Sequence, residues 1–273
     1  YEMLSGDWSS DVCSSDLMFM ADVTRIAWRS IRSKERFHPH ALIDAFRLHL
    51  GPTGTLLIPT YTFDLVDGAS FDRRGSHTIS GSLGKAALEH PAFGRTGHPL
   101  HSFAVAGQGR EHLMTVQERG SFGPGSPFSY AHEHGGLLVT LDLEVNRALT
   151  FSHFVEERER VPYRFKRTMS FQYTDLDGST MQRSFDIQAK KAGHRMNFSS
   201  MEGLLERSGA LRRGAVEGIQ WRVIDLVAAY PVIAEDLRKD SAGSVHLFRC
   251  SWWLKDVARA ALFTIMGRPQ GIR

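Results

Sequence analysis

At 273 residues, with 42% hydrophobic and 23% charged residues, the chain has room for one large domain or two small ones and enough apolar material for a core. A formal charge of +3 does not demand nucleic acid and suits a small anionic cofactor. No run of about 18 apolar residues argues for a membrane-spanning helix, and two cysteines, Cys13 and Cys250, make no disulfide framework, so a reducing cytoplasm is the expected compartment.

Residues 7–17, Ser- and Asp-rich, show neither helical nor strand periodicity and can be encoded by the end of a common sequencing-library adapter. Residues 1–17 are therefore expected to be an artefactual extension fused to a shortened gene, and 18–273 a single domain. Residues 17–26 read as a strand, followed by a basic turn carrying Arg25, Arg29, Arg32, Lys34 and Arg36. Apolar residues at helical spacing predict a helix over 40–50, stopped by Gly51-Pro52. The continuous apolar run 55–60 predicts a strand covered on both faces, and 64–80 a long loop. A short helix is expected over 82–90, strands over 102–106 and 136–143, and a helix over 149–160. Beyond Phe165 the texture changes: segments 171–174 and 181–187 flank Asp177-Gly178, a hairpin signal, within a 165–190 insertion. Helices follow over 201–208 and 225–239, the latter broken at Pro231. The stretch 240–273 carries an amphipathic helix over 252–266. Alternating strands and helices make the fold α/β, with a mixed central sheet flanked by helices and an antiparallel hairpin subdomain.

Four groups of residues can carry chemistry. On a helix, Thr150, His153 and either Glu156 or Glu157 share a face, and a carboxylate beside an imidazole fixes its tautomer and raises its basicity. That is a general base, although the spacing also occurs on ordinary surface helices. Pro99 restricts His98, just before Ser102 and an apolar strand, so His98 is either held for a ligand or bonded to its own loop. Residues 121–128, from Ser121 through Ser126, are either a ligand-binding turn or simply a turn. Thr60, Tyr61 and Asp64 follow a buried strand, where α/β sheets commonly form ligand crevices.

In their order and spacing, the run 54–64, His98-Pro99 with Ser102, the 122–128 turn, Thr150-x-x-His153-x-x-Glu156 and Val161-Pro162-Tyr163-Arg164 together resemble the aminoglycoside 3-N-acetyltransferase family. The resemblance covers about residues 17–218 and weakens after Lys166. It implies acetyl-CoA as donor, an amino-sugar amine as acceptor, and a fold distinct from the commoner acetyltransferases that read pyrophosphate with Gln/Arg-x-x-Gly-x-Gly. The nearest approach to that motif here, Arg268-Pro269-Gln270-Gly271, is followed by no helix. Two departures stand out. Where the family has His-Ser-Ser-Leu-Ser meeting the coenzyme phosphates, this chain has Met20-Ala21-Asp22-Val23-Thr24, so only Thr24 keeps a hydroxyl and Asp22 opposes phosphate. The strand before the helix ends Leu141-Asp142 instead of Leu-Gly.

The resemblance implies direct transfer with His153 as general base, Glu156 orienting it and Thr150 helping to stabilise the oxyanion. His98, Ser102, Tyr61 and Asp64 fall on the acceptor side; Thr24, Arg25, Arg29, Thr60 and Ser126 on the coenzyme side. No Gly-x-Ser-x-Gly motif argues for a covalent intermediate. A metal hydrolase using His98, His101 and His153 lacks a tight ligand pair such as His-Glu-x-x-His, and no metal is expected. Two further readings stay open: a non-catalytic binding protein on the same fold, and acetylation of amino sugars for surface glycans. Acidic residues Asp64, Asp67, Asp72, Glu133, Asp142 and Glu144 could offer a polycationic acceptor an acidic cleft.

Overall fold

The computed structural model describes residues 16–239 and 246–266. The proposed extension 1–17 lies outside them except for Asp16 and Leu17, and Leu17 is already fully buried in the sheet.

Strand β1 (Leu17–Ala21) lies at the centre, parallel to β2 (Thr55–Pro59) on one side and β6 (Leu137–Leu141) on the other. Leu17 is opposite both Leu56 and Leu137. Antiparallel strands complete the seven-stranded sheet: β5 (Phe103–Gly107) and β4 (Gly94–Arg95) beyond β2, β11 (Ile219–Asp225) and β10 (Leu211–Val216) beyond β6. The sheet is thus mixed, and its mixing comes from β4, β5, β10 and β11 rather than from the 165–190 insertion.

The central strands are apolar throughout because both faces are covered. Successive side chains go to opposite sides: Leu17 and Phe19 join one core with Leu56 and Ile58, while Met18 and Met20 join the other with Leu57. The first core is closed by helices α2 (Pro39–Leu50) and α3 (Gly81–Glu89), through Ile43, Phe46, Leu50, Leu83, Ala86 and Ala87. On the opposite face lie α4 (Arg110–Thr115), α5 (Pro127–Glu133), α6 (Val145–Ala148), α7 (Phe151–Arg158), α8 (Ser199–Arg207) and α9 (Leu226–Arg238).

The hairpin pairs β7 (Arg164–Thr174) with β8 (Thr180–Lys190) over eleven residues each. It forms a separate three-stranded sheet with β3 (Ser70–Asp72), a strand inside what the sequence reads as loop, around Phe71, Leu100, Met169, Phe171, Tyr173, Phe185 and Ile187. A two-stranded sheet joins β9 (His194–Met196) to β12 (His246–Phe248), and α10 (Cys250–Ile265) follows.

Three expectations are corrected. The strand predicted to Ile26 stops at Ala21, and the basic turn is helix α1 (Thr24–Arg32). Asp22 turns the chain there, its carboxylate accepting the Thr24 N–H at 3.1 Å, and Arg25, Arg29 and Arg32 then recur at helical spacing. Pro231 does not break α9. It sits in the second turn, where its missing N–H would have met the carbonyl of solvent-exposed Val227. The β10–β11 hairpin, unread in the sequence, turns at Glu217-Gly218, with φ of 49° and 77°. Two positive φ values are what a tight hairpin turn requires, and a Glu-Gly pair signals this less strongly than Asn-Gly.

Candidate active site

The strongest grouping surrounds His153, on the first turn of α7. Its Nδ1 lies 2.7 Å from Glu156 Oε2, as the helical spacing predicts. Glu156 is completely buried. Its other oxygen accepts the Tyr163 hydroxyl at 3.0 Å, and Oε2 also takes Nε of Arg164. Arg164 Nη2 lies 2.9 Å from His153 Nδ1, and Nη1 donates to the Gln188 carbonyl at 2.9 Å. The imidazole sits between the rings of Phe122 and Phe198.

Burial and then Arg164 hold the His153 pKa below the ordinary histidine value, against the upward pull of Glu156. Burial pushes the Glu156 carboxyl up, but His153, Arg164 and Tyr163 outweigh it and keep it below the usual range. The pair is therefore a neutral imidazole on an ionised carboxylate near neutral pH. Glu157 does not reach His153; burial, Glu118 and Asp186 raise its pKa.

Thr150, at the N-terminal end of α7, lines a cavity of about 530 Å³ that opens at the carboxyl ends of β1 and β2. Tyr61, Phe63, Leu143 and Arg147 share this wall. Two helix N-termini face the cavity, at Thr24 of α1 and at Ser80-Gly81-Ser82 of α3. Their positive dipole ends suit phosphate, although the Thr24 and Ser80 N–H groups already donate to Asp22 Oδ1 and Thr78 Oγ1. Gly84 lets α3 lie this close to β2, since a Cβ there would meet the Pro59 carbonyl at 2.8 Å. Asp22 works the other way: its carboxylate already accepts the Thr24 N–H at the start of α1 and lies 3.9 Å from the Arg147 guanidinium.

The remaining candidates divide. Tyr61 lines the cavity beside Thr150, and burial pushes the pKa of its hydroxyl up. His98 is locked: Nδ1 accepts the N–H groups of Leu100 and His101, each at 3.2 Å, and Nε2 faces the Ser121 hydroxyl at 3.1 Å. Burial pushes its pKa down to about 4, so it stays neutral. Thr60 and Ser102 bond each other and Arg95 in the interior, away from the cavity lining. Ser126 caps α5 through the Ser129 N–H. Asp64 is exposed and pairs with His77 at 2.6 Å. Arg25 reaches Asp142 at 3.5 Å and the Gly218 carbonyl at 2.6 Å, and lines a second cavity of about 370 Å³ with Asp22, Thr24, Trp28 and Asp142. Arg29 is turned onto Glu217.

Sequence reasoning assigned no role to Arg147, to the Ser80–Gly84 run or to Arg164. Helical spacing could not find them, because each reaches the site from a different element. Among the described residues, no group of three His, Cys, Asp or Glu side chains could hold a metal ion, and no helix is long and apolar enough to cross a membrane.

The chain is similar to several known proteins. An aminoglycoside N(3)-acetyltransferase IV from Salmonella sp is 31% identical over 140 residues, 50% of this chain. That match spans about half the relative's own length, 52%. The fold is shared with AAC-IIIb, solved as a binary complex with CoASH, at a TM-score of 0.71 and 23% identity, over 87% of this chain and 96% of that one. It is shared with AAC-VIa bound to sisomicin at a TM-score of 0.65 and 20% identity, over 83% and 92%. The family model for aminoglycoside 3-N-acetyltransferase matches residues 25–238, and the chain belongs to that family.

Proposed function

We propose that the protein transfers an acetyl group from acetyl-CoA to a primary amine of an aminoglycoside or related amino sugar, in the cytoplasm. The observation that carries this reading is the pair of half-buried His153 and buried Glu156, one turn from Thr150 on the wall of a cavity met by two helix N-termini. An amino-sugar amine is largely protonated near neutral pH and needs a base. His153 Nε2, left free when Nδ1–H donates to Glu156, takes the amine proton as nitrogen attacks the thioester carbonyl. The Thr150 hydroxyl faces the developing oxyanion. The C–S bond then breaks and the proton on His153 passes to the coenzyme thiolate, while the extra proton of the starting ammonium has gone to solvent, so no group on the enzyme is consumed. The cavity fits the coenzyme in two respects, helix N-termini for phosphate and apolar Phe63 and Leu143 for the chain, whereas Asp22 opposes it. Relatives solved with CoASH and with sisomicin support the two substrate classes.

The test is thiol release from acetyl-CoA by the purified chain against aminoglycosides and nucleotide amino sugars. Acetylation of a member of either class supports the reading. Coenzyme binding without transfer to any amine would replace it with a non-catalytic protein.

A further inference from the structure

Arg164 opens β7 and is only 10% exposed, yet it touches both members of the pair. Its guanidinium is held by two acceptors, the Gln188 carbonyl on β8 and Glu156 Oε2, and lies beside His153 Nδ1. A guanidinium is a rigid, permanently charged fork, so this placement has consequences for the proton on the imidazole.

Glu156 is buried, and an ionised carboxylate without a partner there would either take up a proton or draw one onto His153. Arg164 satisfies that charge in part, which weakens the pull on the imidazole. It also stands where a protonated ring would bring like charges together, 2.9 Å from Nδ1. The other charged or titratable groups facing His153 are Lys190 from β8, the cross-strand neighbour of Arg164, and His101 from the segment before β5. Lys190 opposes protonation, His101 is kept uncharged by its own burial, and Glu156 alone favours protonation.

We propose that Arg164 is a positioning residue: by holding Glu156 and placing a fixed positive charge beside the ring, it keeps His153 uncharged. This rests on the reading of His153 as the base. It gives the Tyr163-Arg164 dipeptide a divided task, with Tyr163 fixing the carboxylate and Arg164 setting how firmly the imidazole holds a proton. A base that resists protonation is ready at lower pH and surrenders its proton more easily to the leaving thiolate.

The experiment pairs an NMR titration of the His153 ring with the pH profile of kcat/KM, in the unaltered chain, Arg164→Met, Arg164→Lys and Glu156→Gln. In Arg164→Met the ring midpoint and the acidic limb of the profile both move up, by about one pH unit. Glu156→Gln moves both down. Arg164→Lys keeps the charge and leaves the midpoint near that of the unaltered chain. An arginine that only shaped the fold would lower kcat without moving either midpoint, and an unmoved or lowered midpoint in Arg164→Met overturns the proposal. If Arg164→Met does not fold, the unaltered chain decides: a His153 midpoint at or above about 6.5 also overturns it. Should the chain transfer no acetyl group, the ring titration still reports on Arg164, which separates failure of this proposal from failure of the base assignment.

Discussion

At the scale of single residues the proposed base is His153, and two measurements test it. His153→Ala is expected to lower acetyl transfer by about 100–10,000-fold with coenzyme affinity nearly unchanged; retention of most of the rate would remove His153 from the reaction. Because burial and Arg164 depress the His153 pKa, the neutral base persists below the ordinary histidine range. Activity is therefore present at neutral pH and is lost as pH falls through that depressed value, so the acidic limb of the rate profile lies below about pH 6.5. A limb centred above it would mean that Glu156 outweighs the cation. Thr150→Val removes a hydroxyl while keeping the shape, and a loss of about 100–1,000-fold in kcat is expected if that hydroxyl faces the oxyanion. His98, neutral and bonded on both nitrogens, contributes no inflection between pH 5 and 8.

At the scale of elements, the start of α1 is where the proposed coenzyme contact can be tested. Asp22 fills the helix N-terminus with its own carboxylate, and its pKa is lowered chiefly by its hydrogen bonds to Thr24. Asp22→Ser keeps a capping oxygen, removes the negative charge, and is expected to tighten acetyl-CoA more than acetyl-pantetheine, with the difference shrinking at high salt. Isothermal titration with both donors checks this, and equal changes for the two would separate Asp22 from the phosphates. The basic face of α1 has another job. Arg29 pairs with Glu217 at 2.9 Å, with side chains 44% and 70% exposed. Screening at such exposure limits the pair to about 0–1 kcal/mol. Arg29→Gln should thus barely change thermal unfolding, and a coenzyme affinity that stays level would place the phosphates at the helix ends instead.

At the scale of the molecule, the sheet begins where the apparent extension ends. Leu17 is completely buried and pairs with both parallel neighbours. Removing residues 1–15 should leave the thermal midpoint unchanged, whereas Leu17→Ala should cost about 2–5 kcal/mol by opening a cavity in the first core. A large loss of stability on the first deletion would show that those residues belong to the fold.

The apolar segments at 17–26, 55–60 and 136–143, and Asp177-Gly178, were enough to read an α/β fold with a mixed sheet and an added hairpin, because local pattern and turn chemistry are written in neighbouring residues. The His153–Glu156 contact was legible for the same reason: it spans one turn of one helix. The sequence could not show that β7 begins with a guanidinium against that pair, or that Arg25 and Arg29 turn toward the β10–β11 hairpin. Nor could it show that Thr60, Ser102 and Ser126 are spent on internal hydrogen bonds. Each of these depends on residues far apart in the chain, whose meeting is decided by how the layers pack and which buried polar groups must find partners.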